Sequence, residues 1–144
     1  MAQKSFYMDS CIWLNLFKKE GDPTKGVPYW KIAKDFIETV EESDDLIIIS
    51  PMVLKELSFK LGDKYSLAKE FFDKTKNISI IKSDSEDFTL ARKLESEFNY
   101  EIGFFDCLHI AISKRLNLNL VTRDKDLLRF ANKYVSSNKP EELY

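Results

Sequence analysis

Four carboxylates stand at positions from which they could share one piece of chemistry. Asp9 ends the apolar run Phe6-Tyr7-Met8, with Ser10 beside it, and Asp124 follows Leu120-Val121-Thr122-Arg123. Glu56 falls in the segment Ser50-Pro51-Met52-Val53-Leu54-Lys55-Glu56-Leu57. At about 100° per residue it projects between Met52 and Val53, inside an apolar arc that also takes in Leu57 and Phe59. A carboxylate on such a face is costly unless paired or bound to a metal, and Lys60 near the same edge offers the simpler ion pair. Asp106 opens a stretch over 104–116 that is apolar almost all round. Its polar exceptions, Asp106, His109 and Ser113, are spaced by three and four residues and form one stripe. Oxygen donors from four separate segments suit a hard cation such as Mg²⁺ or Mn²⁺. Such an ion activates water and offsets the charge that builds on a phosphate during in-line displacement. Taken singly, Asp9 and Asp124 read equally well as helix N-caps, and the four acids as unrelated caps and ion pairs.

Positioning these groups calls for short apolar strands between amphipathic helices. Residues 6–8, 46–49, 78–81 and 118–122 read as strands, with 134–135 as a short last one. Helices are expected over 10–18, 29–42, 51–61, 63–75, 85–98, 104–116 and 124–133, and residues 21–28 form a loop. Pro51 suits a first helical turn, and Ser83 or Asp84 suits a cap. Strands apolar on both faces and separated by helices make a parallel sheet covered on both sides. The fold class is therefore α/β, in one domain over 1–144. Ligands of such sheets bind beyond the carboxyl ends of the strands, where strand order reverses. Asp9 and Asp124 lie at two of those ends.

Composition narrows the function classes. With 22 basic and 24 acidic side chains, the formal charge is -2, too balanced for a disordered polyelectrolyte or for coating nucleic acid by bulk charge. Any nucleic-acid contact must be local and aided by something else, such as a metal ion. No G-x-G-x-x-G and no G-x-x-x-x-G-K-[ST] occurs, so dinucleotide and P-loop binding lack support. The two cysteines, Cys11 and Cys107, read as reduced structural thiols, and one histidine with two distant cysteines cannot build a zinc site. No apolar run approaches the roughly 20 residues of a membrane helix, and no signal-peptide core is present, so a cytoplasmic protein is expected.

The ordered set of motifs resembles the PIN-domain ribonucleases, particularly the small VapC-type toxins of VapBC toxin–antitoxin pairs. Phe6-Tyr7-Met8-Asp9-Ser10 is similar to the family's opening strand with its acid and following hydroxyl residue, and the Ser50–Leu57 segment to the one carrying a glutamate. Phe105-Asp106-Cys107-Leu108-His109-Ile110-Ala111 resembles the D-x-x-H-x-A run, and Thr122-Arg123-Asp124 the T-x-D segment. Pro140-Glu141-Glu142-Leu143 is similar to the usual tail. The likeness spans nearly the whole chain. It implies a five-stranded parallel sheet in strand order 3-2-1-4-5, reversing between the first and fourth strands where Asp9 and Asp124 stand. It also implies that Asp9, Glu56, Asp106 and Asp124 ligate one or two Mg²⁺ or Mn²⁺ ions, so that a metal-activated water cuts single-stranded RNA. The implied partners are a small antitoxin protein and a second copy of the chain, joined through the early helices at Trp13, Leu16 and Phe17. Alternatives are an RNA-processing PIN nuclease without antitoxin and an inactive PIN-like binding module.

Supporting roles are expected for Ser10 and Thr122, as hydrogen-bond partners of the acids or as simple caps. Asp126 reads as an outer ligand or as a solvated first-turn acid. His109 reads chiefly as a packed residue that orients Asp106. Arg123 and Lys125 at the rim are candidates for RNA phosphate contact. One departure from the family pattern stands out: Ile102-Gly103-Phe104-Phe105 is bulkier than expected before the acid, and its two aromatics either narrow the site or stack on bases.

Overall fold

The computed structural model describes residues 3–144. Its strands are β1 (Ser5–Met8), β2 (Leu46–Ile49), β3 (Ile78–Ile80), β4 (Asn119–Val121) and β5 (Ser137–Asn138). They pair in parallel in the order β3-β2-β1-β4-β5, with Tyr7 level with Ile48 on one side and Leu120 on the other. Successive side chains of a strand point to opposite faces. Because Phe6, Tyr7 and Met8 are all buried, as are Ile47, Ile48 and Ile49, both faces of the central strands are covered. This is the α/β architecture expected from the continuous apolar runs.

Among the described residues, seven α-helices surround the sheet: α1 (Ser10–Phe17), α2 (Tyr29–Glu42), α3 (Pro51–Leu61), α4 (Tyr65–Lys74), α5 (Ser85–Glu97), α6 (Phe104–Arg115) and α7 (Lys125–Ala131). Capping sets where four of them start. Asp9 caps α1, Ser50 caps α3 ahead of Pro51, Asp124 caps α7, and Asp84 with Asp87 forms a reciprocal capping box on α5. In α6 every residue from Cys107 to Ser113 is buried, as its nearly all-apolar sequence requires. Trp13 of α1 is fully buried, with its ring edge-on to Phe72 at 4.7 Å. That leaves Leu16 and Phe17 as the half-buried residues of the trio expected at a dimer interface.

Three expectations need correction. Residues 134–135 are not a strand: the amides of Tyr134 and Val135 both bond the Ala131 carbonyl, closing the turn that ends α7, and pairing begins at Ser137 opposite Leu120. The helix expected over 63–75 is a short 3₁₀ turn, Gly62–Lys64, followed by α4, because Gly62 takes φ +55° and breaks the path from α3. Phe59 is 77% exposed and does not share the core with Leu57; the buried face of α3 is Val53, Leu57 and Leu61.

Candidate active site

Asp9 is the first residue beyond β1, where its amide donates to the Val121 carbonyl at 3.0 Å and so fixes the ends of β1 and β4 together. Its carboxylate is buried and heavily used. Oδ1 accepts from the Ser10 amide at 2.7 Å, and Oδ2 accepts from Thr122 Oγ1 at 2.9 Å. Ser10 Oγ donates to Glu56 Oε1 of α3 and lies 3.4 Å from Asp9 Oδ1, so one hydroxyl links two acids. Thr122 Oγ1 in turn accepts from the Asp124 amide at 3.1 Å. Asp124 caps α7 through Oδ1, which accepts from the amides of Asp126 and Leu127 at 3.0 and 3.2 Å. A carboxylate has about four acceptor sites, so capping leaves capacity on both aspartates. Glu56 does not pair with Lys60 among the described contacts; it is held by Ser10 instead.

Beneath Asp9 runs a buried polar chain. His109 Nε2 is 3.5 Å from Asp9 Oδ1, His109 Nδ1 is 2.6 Å from Tyr7 Oη, and Tyr7 Oη is 2.8 Å from Ser50 Oγ. Ser50 Oγ also accepts from the Val53 amide at 3.3 Å. Burial pushes the imidazole down and the phenol up, so His109 is neutral and Tyr7 keeps its proton. With the imidazole proton on Nε2, every member is satisfied: Ser50 donates to Tyr7, Tyr7 donates to Nδ1, and Nε2–H faces the Asp9 carboxylate. His109 thus reaches Asp9, and among the described contacts none joins it to the Asp106 that its spacing suggested.

Asp106, in the first turn of α6, accepts no hydrogen bond among the described residues. Its carboxyl is pushed up to about 7, first by burial and then by the charges of Asp9, Asp124 and Glu56. The structure thus gathers all four acids at the carboxyl ends of β1 and β4, from buried Asp9 through half-buried Glu56 and Asp106 to exposed Asp124. Among the described residues, no Lys or Arg lies within ion-pair distance of any of the four. Nor do three His, Cys, Asp or Glu side chains among them stand close enough to grip an ion as they are. The donor set nevertheless fits a hydrated hard cation: it is all oxygen and strongly negative, and Mg²⁺ retains several of its waters on binding. Burial pushes the neighbouring Cys11 thiol up to about 12 and that of Cys107 up to about 11, so neither is a thiolate nucleophile.

The remaining candidates sit apart. Asp126 is exposed beside Arg129, and Lys125 is exposed in the first turn of α7. Arg123 is turned to the chain's own tail: its guanidinium meets Glu141 at 2.9 Å and lies 4.1 Å from the centre of the Tyr29 ring. Sequence reasoning missed Tyr7 and Ser50. The available signal was a tyrosine in a strand buried on both faces, whose hydroxyl must find a buried partner.

A family model described as PIN domain matches residues 6–133. The chain belongs to the PIN-domain family. PIN domains are nucleases that generally use divalent metal ions. No curated protein matches the sequence. Several solved structures share the PIN fold with it at low identity. VapBC2 from Rickettsia felis, bound to a DNA fragment from its promoter, aligns with TM-score 0.71 and 19% identity, covering 94% of this chain and 98% of that one. A toxin–antitoxin complex from Klebsiella pneumoniae aligns with TM-score 0.66 and 18% identity over 94% and 97% of the two chains. FitAcB from Neisseria gonorrhoeae aligns with TM-score 0.64 and 17% identity over 96% and 99%. Among the described residues, no helix is long and apolar enough to cross a membrane.

Proposed function

We propose that this PIN domain is a divalent-metal-dependent endoribonuclease that cuts single-stranded or loop RNA, and that it is the toxin of a toxin–antitoxin pair. The observation that carries the reading is Asp106: an aspartate raised to about 7 by burial and three neighbouring acids, with no basic side chain among the described residues in ion-pair reach of it. Four like charges gathered without a cation of the protein's own are explained by a cation that binds there. Asp9, Glu56, Asp106 and Asp124 would hold Mg²⁺ or Mn²⁺. When bound, such an ion supplies a Lewis acid that eases deprotonation of water and offsets charge on a scissile phosphate.

The chain's own residues prepare that site. Ser10 and Thr122 fix Asp9 and tie it to Glu56 and Asp124, while the Ser50–Tyr7–His109 chain sets the plane of the Asp9 carboxylate. Until the neighbouring charges are offset, the Asp106 carboxyl, pushed up to about 7, holds its proton below neutral pH and shares it near neutral pH. RNA as the substrate rests on the resemblance to PIN-domain ribonucleases, and unpaired strands or loops are the form whose bases and backbone a protein reaches most readily. The toxin reading draws on the full-length likeness to VapBC2 and to the Klebsiella toxin–antitoxin complex. With it come a small antitoxin partner, a cytoplasmic location and a homodimer through α1, for which Leu16 and Phe17 supply the remaining apolar surface.

The test is cleavage of mixed structured and single-stranded RNA by purified protein in Mg²⁺, Mn²⁺ or EDTA, beside Asp106→Asn. Cutting that needs the metal and is lost in the variant supports the nuclease. Cutting that persists in EDTA and in the variant would place it elsewhere. For the toxin role, growth arrest on expression should vanish in Asp106→Asn and be relieved by a co-expressed adjacent small reading frame.

A further inference from the structure

We propose that Phe105 is a stacking platform that receives an unpaired nucleobase beside the four acids, making it a substrate-positioning residue. The inference rests on the ribonuclease reading and adds how the RNA is held.

An RNA strand entering this site meets four acids, in a chain whose net charge is already -2. Arg123, the basic residue nearest the strand end, is engaged by Glu141 and Tyr29. Uncharged contacts close to the acids would add affinity that the exposed Lys125 alone does not supply. Phe105 precedes Asp106 in the first turn of α6 and is 63% exposed. At about 100° per residue it lies between Phe104, which faces α5, and Asp106, which faces the other carboxylates.

Single exposed apolar residues are ordinary and carry no message by themselves. Phe105 is different because its ring has a bed. Phe104 stands 5.8 Å from it, tilted by 60°. Phe104 is itself stacked on Phe88 of α5 at 6.1 Å and 15°, and the Arg92 guanidinium lies 4.0 Å over the Phe104 ring. Three aromatics and a guanidinium thus form one continuous ledge running from α5 to the acids. Phe88 is 46% exposed, so the ledge is open to solvent at both ends, with half-buried Phe104 joining them. Arg92 is itself exposed and pairs with Glu95 at 3.2 Å, leaving guanidinium donors free to meet a phosphate.

Every base has a π-face, and base–aromatic stacking contributes about 1–3 kcal/mol per base with little sequence preference. In a duplex those faces are already stacked and covered, so the ledge selects unpaired nucleotides. A protein segment could also cover an aromatic patch. The position one residue from Asp106 and the cationic edge at Arg92 favour a nucleotide.

The experiment uses a short unstructured RNA of adenine and uracil with 2-aminopurine replacing one adenine, and the same sequence as a duplex. Binding is read by fluorescence with Mg²⁺ in an Asp106→Asn background, and cleavage is read with Asp106 intact. Stacking predicts quenching by the single strand only. Phe105→Ala should abolish the quenching, weaken binding roughly tenfold and raise KM by a similar factor, with kcat within about twofold. Phe105→Trp should restore both, which guards against a merely misfolded variant. Phe105-dependent quenching without any cleavage by the intact protein would sustain the platform and sink the nuclease reading. Metal-dependent cleavage with unchanged quenching and KM in Phe105→Ala would overturn the platform, leave the nuclease standing and assign Phe105 to a protein contact. Equal quenching of the duplex would overturn it too.

Discussion

Asp87 and Asp106 occupy the same place, the third residue, in two helices that pack on one another, and the fold treats them in opposite ways. Asp87 is 2% exposed and closes the capping box by accepting from the Asp84 amide at 3.0 Å. It also takes a two-pronged contact from Arg115, with Nε and the second amino group each at 2.9 Å. Asp106 accepts nothing, caps nothing and faces three further acids. Both carboxylates lost water on folding; only Asp87 received compensation within the chain. A buried acid answered by arginine ties α5 to the end of α6. An acid left unanswered in a group of four is the arrangement that the proposed cation site would require.

That contrast can be broken first at Asp106. Because it makes no hydrogen bond, Asn is a close replacement that removes charge and little else. Metal-dependent RNA cleavage should fall by at least about 10³-fold, the scale on which losing a metal ligand acts on transition-state stabilisation. A loss under about tenfold in kcat would remove Asp106 from the machinery.

Arg115→Ala probes the other side. It leaves Asp87 buried with only the Asp84 amide to answer its charge, which should cost about 2–4 kcal/mol, near the low end for broken buried pairs because Arg115 is partly exposed. Urea unfolding should show the loss, while cleavage per folded molecule stays unchanged. A fully stable Arg115→Ala protein would mean that the pair is ornamental.

The Ser50–Tyr7–His109 chain sits between these extremes, structural in form yet connected to Asp9. Tyr7→Phe removes the donor to Nδ1, so the imidazole loses the bond that fixes its proton on Nε2. Stability should fall by about 1 kcal/mol and kcat by roughly tenfold, with KM little changed. An effect confined to stability would make the chain a packing device.

The smallest effect is the stability of metal-free protein against pH. Folded Asp106 keeps its proton to about pH 7, whereas the unfolded chain releases it near 3.8. Between those values the native state binds more protons, so stability should decline as pH rises and level off above about 7. Asp106→Asn should flatten that limb and gain about 1 kcal/mol above pH 7, a figure reduced for the partial exposure of the group. Thermal unfolding in EDTA at a series of pH values measures it; parallel curves for the two proteins would show that the four acids do not repel one another.

Much of this was legible in the residues and some was not. Runs such as Leu46–Ile49, apolar at every position, announce a strand covered on both faces, and the near-continuous apolar stretch of α6 announces burial. The strand order came instead from the family resemblance, since periodicity does not say which strands are neighbours. Tyr134 and Val135 misled because β-formers beyond a helix look like a strand, while backbone bonds to Ala131 keep them in the terminal turn. Phe59 misled because, at about 100° per residue, it lies about 200° round α3 from Leu57, on the side away from the buried Val53, Leu57 and Leu61. The Asp87–Arg115 tie and the Tyr7–His109 bond join residues distant in sequence and leave no periodic trace.

Manganese binding by titration calorimetry, on the intact protein, Asp106→Asn and Arg115→Ala, tests the contrast most directly. The intact protein and Arg115→Ala should bind Mn²⁺ with equal affinity and release protons on binding as Asp106 ionises, whereas Asp106→Asn should bind at least about tenfold more weakly and release fewer. Equal Mn²⁺ affinity with and without the Asp106 carboxylate would contradict the claim that the four unanswered acids form a cation site.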